Sequence, residues 1–327
     1  MLSGARVLVA GATGFIGTNL TSRLVSIGAK VRGVSRRGRP AEPIAGVEYV
    51  EADLTTPYGC RRSVDGMEFV FMCAASTAGA AVMTTTPLAQ VTPNVLMNAQ
   101  ILDAAYTAGV KKFLFVSSSA AYPPSGDRPV TEDEMFAGEP YDVYYGVGWM
   151  KRYAEVLCRI YATKIKRPMS TVVVRPSNAY GPHDKFDFAT SHVTGALIRR
   201  VIERHRPLEV WGTGDDIRDL IYIDDLVDGM LAAFRHDAPY LAVNIASGQG
   251  QSVRGMLAML LEVDAYRDAD VRFDRTKPQT IPVRLIDTAR ARDVLGFEAR
   301  IDLREGLRRT VAWYRSTYRQ GFEAATP

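Results

Sequence analysis

The sequence predicts an α/β fold: a doubly wound parallel sheet over the first half of the chain, followed by a smaller α+β region. Three observations carry that expectation. Short apolar, β-branched runs alternate with helix-like segments. A glycine-rich turn stands at the first strand–helix junction. The chain has 327 residues, a length suited to about two domains. Hydrophobic residues make up 47% and charged residues 23%, a balance that excludes disorder, collagen-like repeats and a small disulfide scaffold.

In order, strands are expected at Arg6–Ala10, Val31–Val34, Val47–Val50, Phe69–Ala74, Phe113–Val116 and Thr171–Val174. Their nearly continuous apolarity fits strands covered on both faces. Helices are expected between them at Gly14–Ile27, Asn94–Ala108 and Gly148–Tyr161. Such alternation implies right-handed crossovers and a parallel sheet. After about residue 176 the pattern loosens into the turn Gly181-Pro182-His183-Asp184. Helices are then expected at Thr194–Arg204, Asp224–Phe234, Val253–Leu261 and Leu303–Tyr318. No repeat, linker or low-complexity segment separates the halves.

The net charge, 40 − 36 = +4, suits an anionic small molecule and is no nucleic-acid footprint. Arg199, Arg200, Arg204 and Arg206 make a basic helix without an aromatic stacking platform, so no nucleic-acid partner is expected. No apolar run approaches the roughly 18–20 residues of a membrane helix. The start of the chain enters the strand-like run Val7-Leu8-Val9-Ala10 without a basic-then-apolar leader. Cys60, Cys73 and Cys158 are scattered, with no CxxC pair. The expectation is a reduced, cytoplasmic, metal-free protein without a membrane partner.

Gly11-Ala12-Thr13-Gly14-Phe15-Ile16-Gly17 closes the first strand and opens the first helix. Gly11 serves a tight turn, Gly14 close approach of backbone to a pyrophosphate, and Gly17 close helix packing, with the anion on the helix N-terminus. At this junction the pattern predicts a dinucleotide site of the Rossmann type rather than an ordinary strand-to-helix turn. An NAD site carries an acid at the end of the second strand. Here that place reads Ser35-Arg36-Arg37, and the next acid is Glu42. Two guanidiniums suit a 2′-phosphate, so NADP is expected, with NAD as the alternative. The expected division is residues 1–176, rejoined by about 218–245, for the dinucleotide, and 177–327 mainly for substrate.

The GxxGxxG spacing resembles the extended, sugar-nucleotide branch of the short-chain dehydrogenase/reductases. The resemblance implies that Asp53-Leu54 brackets adenine and that Ala74-Ala75 forms the wall beside the cofactor ribose. It also implies that Pro176 and Asn178 meet nicotinamide and the entrance of the sugar pocket. Members use a Ser/Thr, a Tyr and a Lys, with Tyr-x-x-x-Lys on one helix. Ser117-Ser118-Ser119 resembles the serine loop, and Lys151 with Glu155 matches the helix. Four residues before Lys151 stands Val147, not tyrosine. Tyr144 and Tyr145 lie nearby without that spacing.

The string Gly181-Pro182-His183-Asp184-Lys185-Phe186, then Ser191-His192-Val193 and Arg199-Arg200, is similar to the GDP-fucose synthase family. Trp211-Gly212-Thr213-Gly214, Arg218-Asp219, Lys277-Pro278 and Arg284-Leu285-Ile286-Asp287 continue the likeness, as does Ala74–Gly79 at the cofactor loop. This resemblance implies catalytic roles for Ser118, Lys151 and His192. Lys151 also binds the cofactor ribose. Substrate contacts fall on Ser118, Asn178, Arg200, Trp211, Arg218 and Lys277. Two family positions differ: the cysteine base aligns with Ala120 and the tyrosine with Val147. The resemblance implies an NAD(P)-dependent epimerase/reductase acting on a GDP-sugar or related nucleotide sugar, with an altered proton-transfer site. A catalytically silent nucleotide-sugar binder or partner subunit, and a dehydratase, are the alternatives. A homodimer is implied through the Asn94–Ala108 and Gly148–Tyr161 helices.

Overall fold

The computed structural model describes residues 1–77, 83, 85–188, 191–277 and 280–318. Its strands, in chain order, begin with β1 (Arg6–Ala10), β2 (Lys30–Ser35), β3 (Glu48–Glu51), β4 (Phe69–Met72), β5 (Lys112–Val116) and β6 (Ser170–Pro176). These are followed by β7 (Asn178–Tyr180), β8 (Leu208–Trp211), β9 (Ile217–Tyr222), β10 (Tyr240–Ile245), β11 (Gly250–Ser252), β12 (Val271–Asp274) and β13 (Val283–Arg284). A seven-stranded sheet runs in the order β10-β6-β5-β4-β1-β2-β3, with every pair parallel. A second sheet joins β11, β9 and β13, with β7 also on β9, and β8 pairs with β12.

The helices are α1 (Phe15–Ser26), α2 (Pro57–Val64), α3 (Leu88–Thr107), α4 (Tyr145–Thr163), α5 (Val193–Ile202), α6 (Ile223–Arg235), α7 (Val253–Val263), α8 (Ala289–Leu295) and α9 (Leu303–Thr317). Two apolar clusters flank the large sheet. One gathers Val7, Val9, Phe71 and Leu114 with Leu20 and Leu24 of α1 and Phe234 of α6. The other sets Leu8, Val70 and Phe113 against Ile101 of α3 and Cys158 of α4. Alternate residues of each strand thus enter opposite clusters, which is why the strand sequences show no polar face.

The main differences from expectation have local causes. The short helix α2 is absent from the sequence reading; Thr56 caps it by accepting the Gly59 N–H at 3.1 Å, with Pro57 in its first turn. Helix α3 begins at Leu88, ahead of the expected Asn94, and carries Pro93 inside. Pro93 has no N–H for the Ala89 carbonyl, which instead faces the Ser76 hydroxyl at 3.4 Å. The apolar run Tyr240–Ile245 is the seventh strand of the large sheet.

All seven strands point their carboxyl ends to one edge. The chain reverses its direction of travel across the sheet between β1 and β4, which lie side by side. That is where a crevice opens in such sheets.

Candidate functional site

The crevice between β1 and β4 is shaped by glycine. Gly11 has φ +81°, and a Cβ on it would lie 2.7 Å from the Ala74 backbone. A Cβ on Gly17 would sit 2.0 Å from the Gly11 carbonyl oxygen. The glycine loop therefore presses backbone to backbone against the segment after β4, and α1 starts beneath it with Gly14 as its uncapped N-terminal neighbour. Thr13 and Gly14 are exposed at the mouth, while Phe15 and Ile16 are half-buried. This arrangement fits a dinucleotide pyrophosphate, since side chains at Gly11 or Gly17 would push apart the loop whose backbone and helix N-terminus face the anion.

At its outer end, Ser35 closes β2 and donates to the Gly38 carbonyl at 3.0 Å. Arg36 and Arg37 follow, both exposed. Asp53 accepts from the Thr55 N–H at 2.9 Å and hydroxyl at 2.8 Å. Those bonds, with the Arg36 guanidinium, hold its carboxyl below the usual range. Leu54 is buried beside it. Ala74 and Ala75 extend from β4, Pro176 ends β6 in a buried position, and Asn178 opens β7 exposed.

Across the crevice, Lys151 of α4 donates to the Val116 carbonyl at 2.8 Å and lies over the Phe115 ring, 4.8 Å from its centre. Burial brings its ammonium down to about 8, against the opposing pull of Glu155 and Cys73. Ser118, two residues beyond Val116, accepts the Ala120 N–H at 3.1 Å and starts a short 3₁₀ turn. A buried frame holds both. Ser117 donates to Glu155 Oε1 at 2.5 Å, and Arg175 meets Glu155 Oε2 at 2.6 Å. Arg175 also donates to the Tyr122 hydroxyl at 2.9 Å, which donates on to Asn244 Oδ1 at 2.7 Å.

Helix α4 has two unlike faces. Tyr145, Trp149, Tyr153, Val156 and Ile160 are all exposed. At about 100° per residue they form one stripe. Val147 and Lys151 lie on the opposite side. Tyr144, seven residues before Lys151, closes a 3₁₀ turn (Asp142–Tyr144) and is the N-cap residue of α4. It is half-buried, and its phenol acts on the charge of Arg284. Burial lowers Arg284 to about 10, while the Tyr144 and Tyr122 phenols oppose that shift. Arg284 donates to the carbonyls of Tyr122 at 3.1 Å and Pro123 at 2.9 Å.

The remaining candidates lie in the second half. His192 is the N-cap residue of α5. Surrounding protein and the Lys185 ammonium hold its imidazole below the ordinary value, although the residue still reaches solvent. Arg200 of α5 donates to the Glu209 carbonyl at 2.8 Å. Trp211 ends β8, partly exposed, with the Lys277 ammonium 5.9 Å from its ring centre. Arg218 is buried and held by the carbonyls of Ile217 and Pro282, Asp216 and Thr280. It borders a narrow crevice with Val193 and Thr194 at the start of α5. Ala78, Gly79 and Pro278 lie outside the described residues.

The sequence profile of the NAD dependent epimerase/dehydratase family matches residues 7–246. The chain belongs to that family. Among curated relatives, probable GDP-L-fucose synthase 1 of Oryza sativa subsp. japonica is 29% identical over 320 residues, 95% of this chain and 92% of the relative. GDP-L-fucose synthase of Escherichia coli K12 is 31% identical over 260 residues, 75% of this chain and 79% of the relative. The solved structure of MoeE5 in complex with UDP-glucuronic acid and NAD superposes with a TM-score of 0.85 at 27% identity, covering 96% of this chain and 100% of that one.

Within this epimerase/dehydratase chain the fold brings the glycine loop, Ala74 and Lys151 to one carboxyl edge. The surface stripe takes Tyr145 away from it. Sequence spacing sets Tyr145 on another face from Lys151, and the exposed stripe agrees; Tyr144 stands just before α4 as its N-cap residue. Among the described residues no group of three or more His, Cys, Asp or Glu is placed to hold a metal ion, and no helix is long and apolar enough to cross a membrane.

Proposed function

We propose that the protein is an NADP(H)-dependent nucleotide-sugar epimerase/reductase for a GDP-sugar, with its proton-transfer position moved from residue 147 to Tyr144. The observation that carries this reading is the backbone cradle at Gly11 and Ala74, with Lys151 fixed across from it. In this reading residues 1–176, rejoined by about 218–245, serve the dinucleotide, and 177–327 mainly the sugar nucleotide. Thr13, Gly14, Phe15, Ile16 and Gly17 line the pyrophosphate, and Asp53, Leu54, Ala74 and Ala75 the adenosine side. Arg36 and Arg37 favour the 2′-phosphate of NADP. When bound, the nicotinamide supplies or accepts hydride.

The chain's own residues then do the rest. Lys151 holds the nicotinamide ribose. Ser118 orients the sugar oxygen, with Pro176 and Asn178 at the boundary between the ligands. Tyr144 donates the proton that valine at 147 cannot, and His192 serves the carbon beside the ketone. Arg200, Lys277 and Trp211 receive the nucleotide end, and Arg218 adds positive charge from the wall. The outward stripe of α4, with exposed Leu88 and Leu96 on α3, favours a homodimer through these helices. The free cysteines favour a reducing, cytoplasmic setting. Val147 and Ala120 also favour a second reading, a binder that keeps the pocket without turnover.

Thermal unfolding with GDP, UDP and dTDP tests the nucleotide assignment. A ligand at a hundred times its Kd adds ~2.7 kcal/mol to the native state. GDP is expected to raise the melting temperature, and Arg218→Ala to reduce that rise. A rise with UDP or dTDP but none with GDP contradicts the assignment.

A further inference from the structure

The segment between β7 and α5 belongs to the second half of the chain, yet two side chains bind it to the first. Asn19 of α1 donates to the Pro182 carbonyl at 3.0 Å. Lys185 reaches in the other direction. Its Nζ donates to the Thr77 hydroxyl at 2.8 Å and to the Thr77 carbonyl at 3.0 Å, in the loop that follows β4 and Ala74-Ala75.

Lys185 stands on a firm base. Gly181 turns the chain at φ +146°, where a Cβ would strike the Ile223 side chain at 2.5 Å, and His183 adopts φ +67°. Phe186 is buried against Trp313 and Tyr314, with ring centres 5.9 and 4.9 Å away. The Lys185 carbonyl packs on the first turn of α5 so closely that a Cβ at Gly195 would lie 2.4 Å from its oxygen. The Lys185 main chain is thus held against α5, the helix with His192 at its N-cap position and Arg200 within it.

We propose that Lys185 is a positioning residue that couples the two ligand sites: by gripping Thr77 it makes dinucleotide binding favour the α5 arrangement that receives the sugar nucleotide. The proposal rests on the two-ligand reading above. A dinucleotide that holds Thr77 in the position Lys185 bonds to removes part of the cost of setting α5 for the second ligand, and the linkage is reciprocal. The Lys185 ammonium is engaged by Thr77, so its loss is expected to uncouple the sites without emptying them.

Calorimetry of GDP binding, with and without saturating NADP(H), reads the coupling directly. In the unmodified protein NADP(H) is expected to tighten GDP by about fivefold or more, within the usual range of such couplings. In Lys185→Met the ratio is expected to fall towards one while each ligand alone keeps its affinity to within about twofold. Lys185→Arg, which retains a donor of sufficient length, is expected to preserve most of the ratio. Thr77→Val, which removes one of the two acceptors, is expected to lower it by a smaller factor and serves if Lys185→Met does not fold. A ratio near one in the unmodified protein, or an undiminished ratio in Lys185→Met, overturns the coupling alone. Failure of both ligands to bind the unmodified protein overturns the two-ligand reading and the coupling with it.

Discussion

On the dinucleotide side of the cleft, position is set by backbone. Gly11 and Gly17 leave no room for a side chain: the loop after β4 closes against Gly11, and Gly17 packs on the Gly11 carbonyl. On the reaction side, position is set by buried polar side chains: Ser117, Glu155, Arg175, Tyr122 and Asn244 hold the serine loop to α4 and β6. The first region admits little substitution, because each glycine contact is steric. The second separates support from chemistry. Its frame remains complete while residue 147, on the cleft side of α4, is a valine that can move no proton. A fold can therefore keep the scaffold around a position whose side chain no longer moves a proton.

The largest effect expected from breaking this contrast lies in the frame. Glu155→Ala leaves the Arg175 guanidinium buried without its carboxylate, which costs ~3–5 kcal/mol for a pair of this kind. Chemical denaturation should show that loss; one below ~1 kcal/mol would mean that the frame does not hold the reaction side.

A smaller effect is expected at the rim of the dinucleotide side. The paired substitution Arg36→Ala with Arg37→Ala should weaken NADP(H) about 10- to 100-fold, at ~1.5–3 kcal/mol for a charge-assisted bond, and leave NAD(H) nearly unchanged. Equal weakening of both cofactors, by calorimetry, would remove the 2′-phosphate role.

The smallest perturbation needs no substitution. Burial lowers Lys151 to about 8, so its neutral amine becomes the main form above that pH. Acylation followed by mass spectrometry should reach half its limiting rate near pH 8 at Lys151, against roughly 10.4 for an ordinary lysine. Bound NADP(H) should protect it. A midpoint near 10 would contradict the effect of burial on Lys151, and no protection would place it away from the dinucleotide.

The same contrast explains what the sequence discloses. Strands β1 to β6 and the glycine loop are legible because apolar runs and short spacings are local. The valine at 147 is legible as a departure from spacing within one helix. The start of α4 is not, since it begins at Tyr145 rather than at the expected Gly148 and leaves Tyr144 as its N-cap residue. Helix α2 is only eight residues long and offers little period to read. The contacts of Glu155 with Arg175 and of Lys185 with Thr77 join segments distant in sequence, and only the completed sheet brings them together.

Consumption of NADPH at 340 nm with a GDP-4-keto-6-deoxysugar tests the relocated proton donor most directly. The unmodified protein should turn over slowly, and Tyr144→Phe should lower that rate by ~10²-fold or more, the usual share of a positioned acid. Val147→Tyr, if folded, should restore rate to the Tyr144→Phe protein. Fast turnover by the unmodified protein, unchanged in Tyr144→Phe, would contradict the relocation.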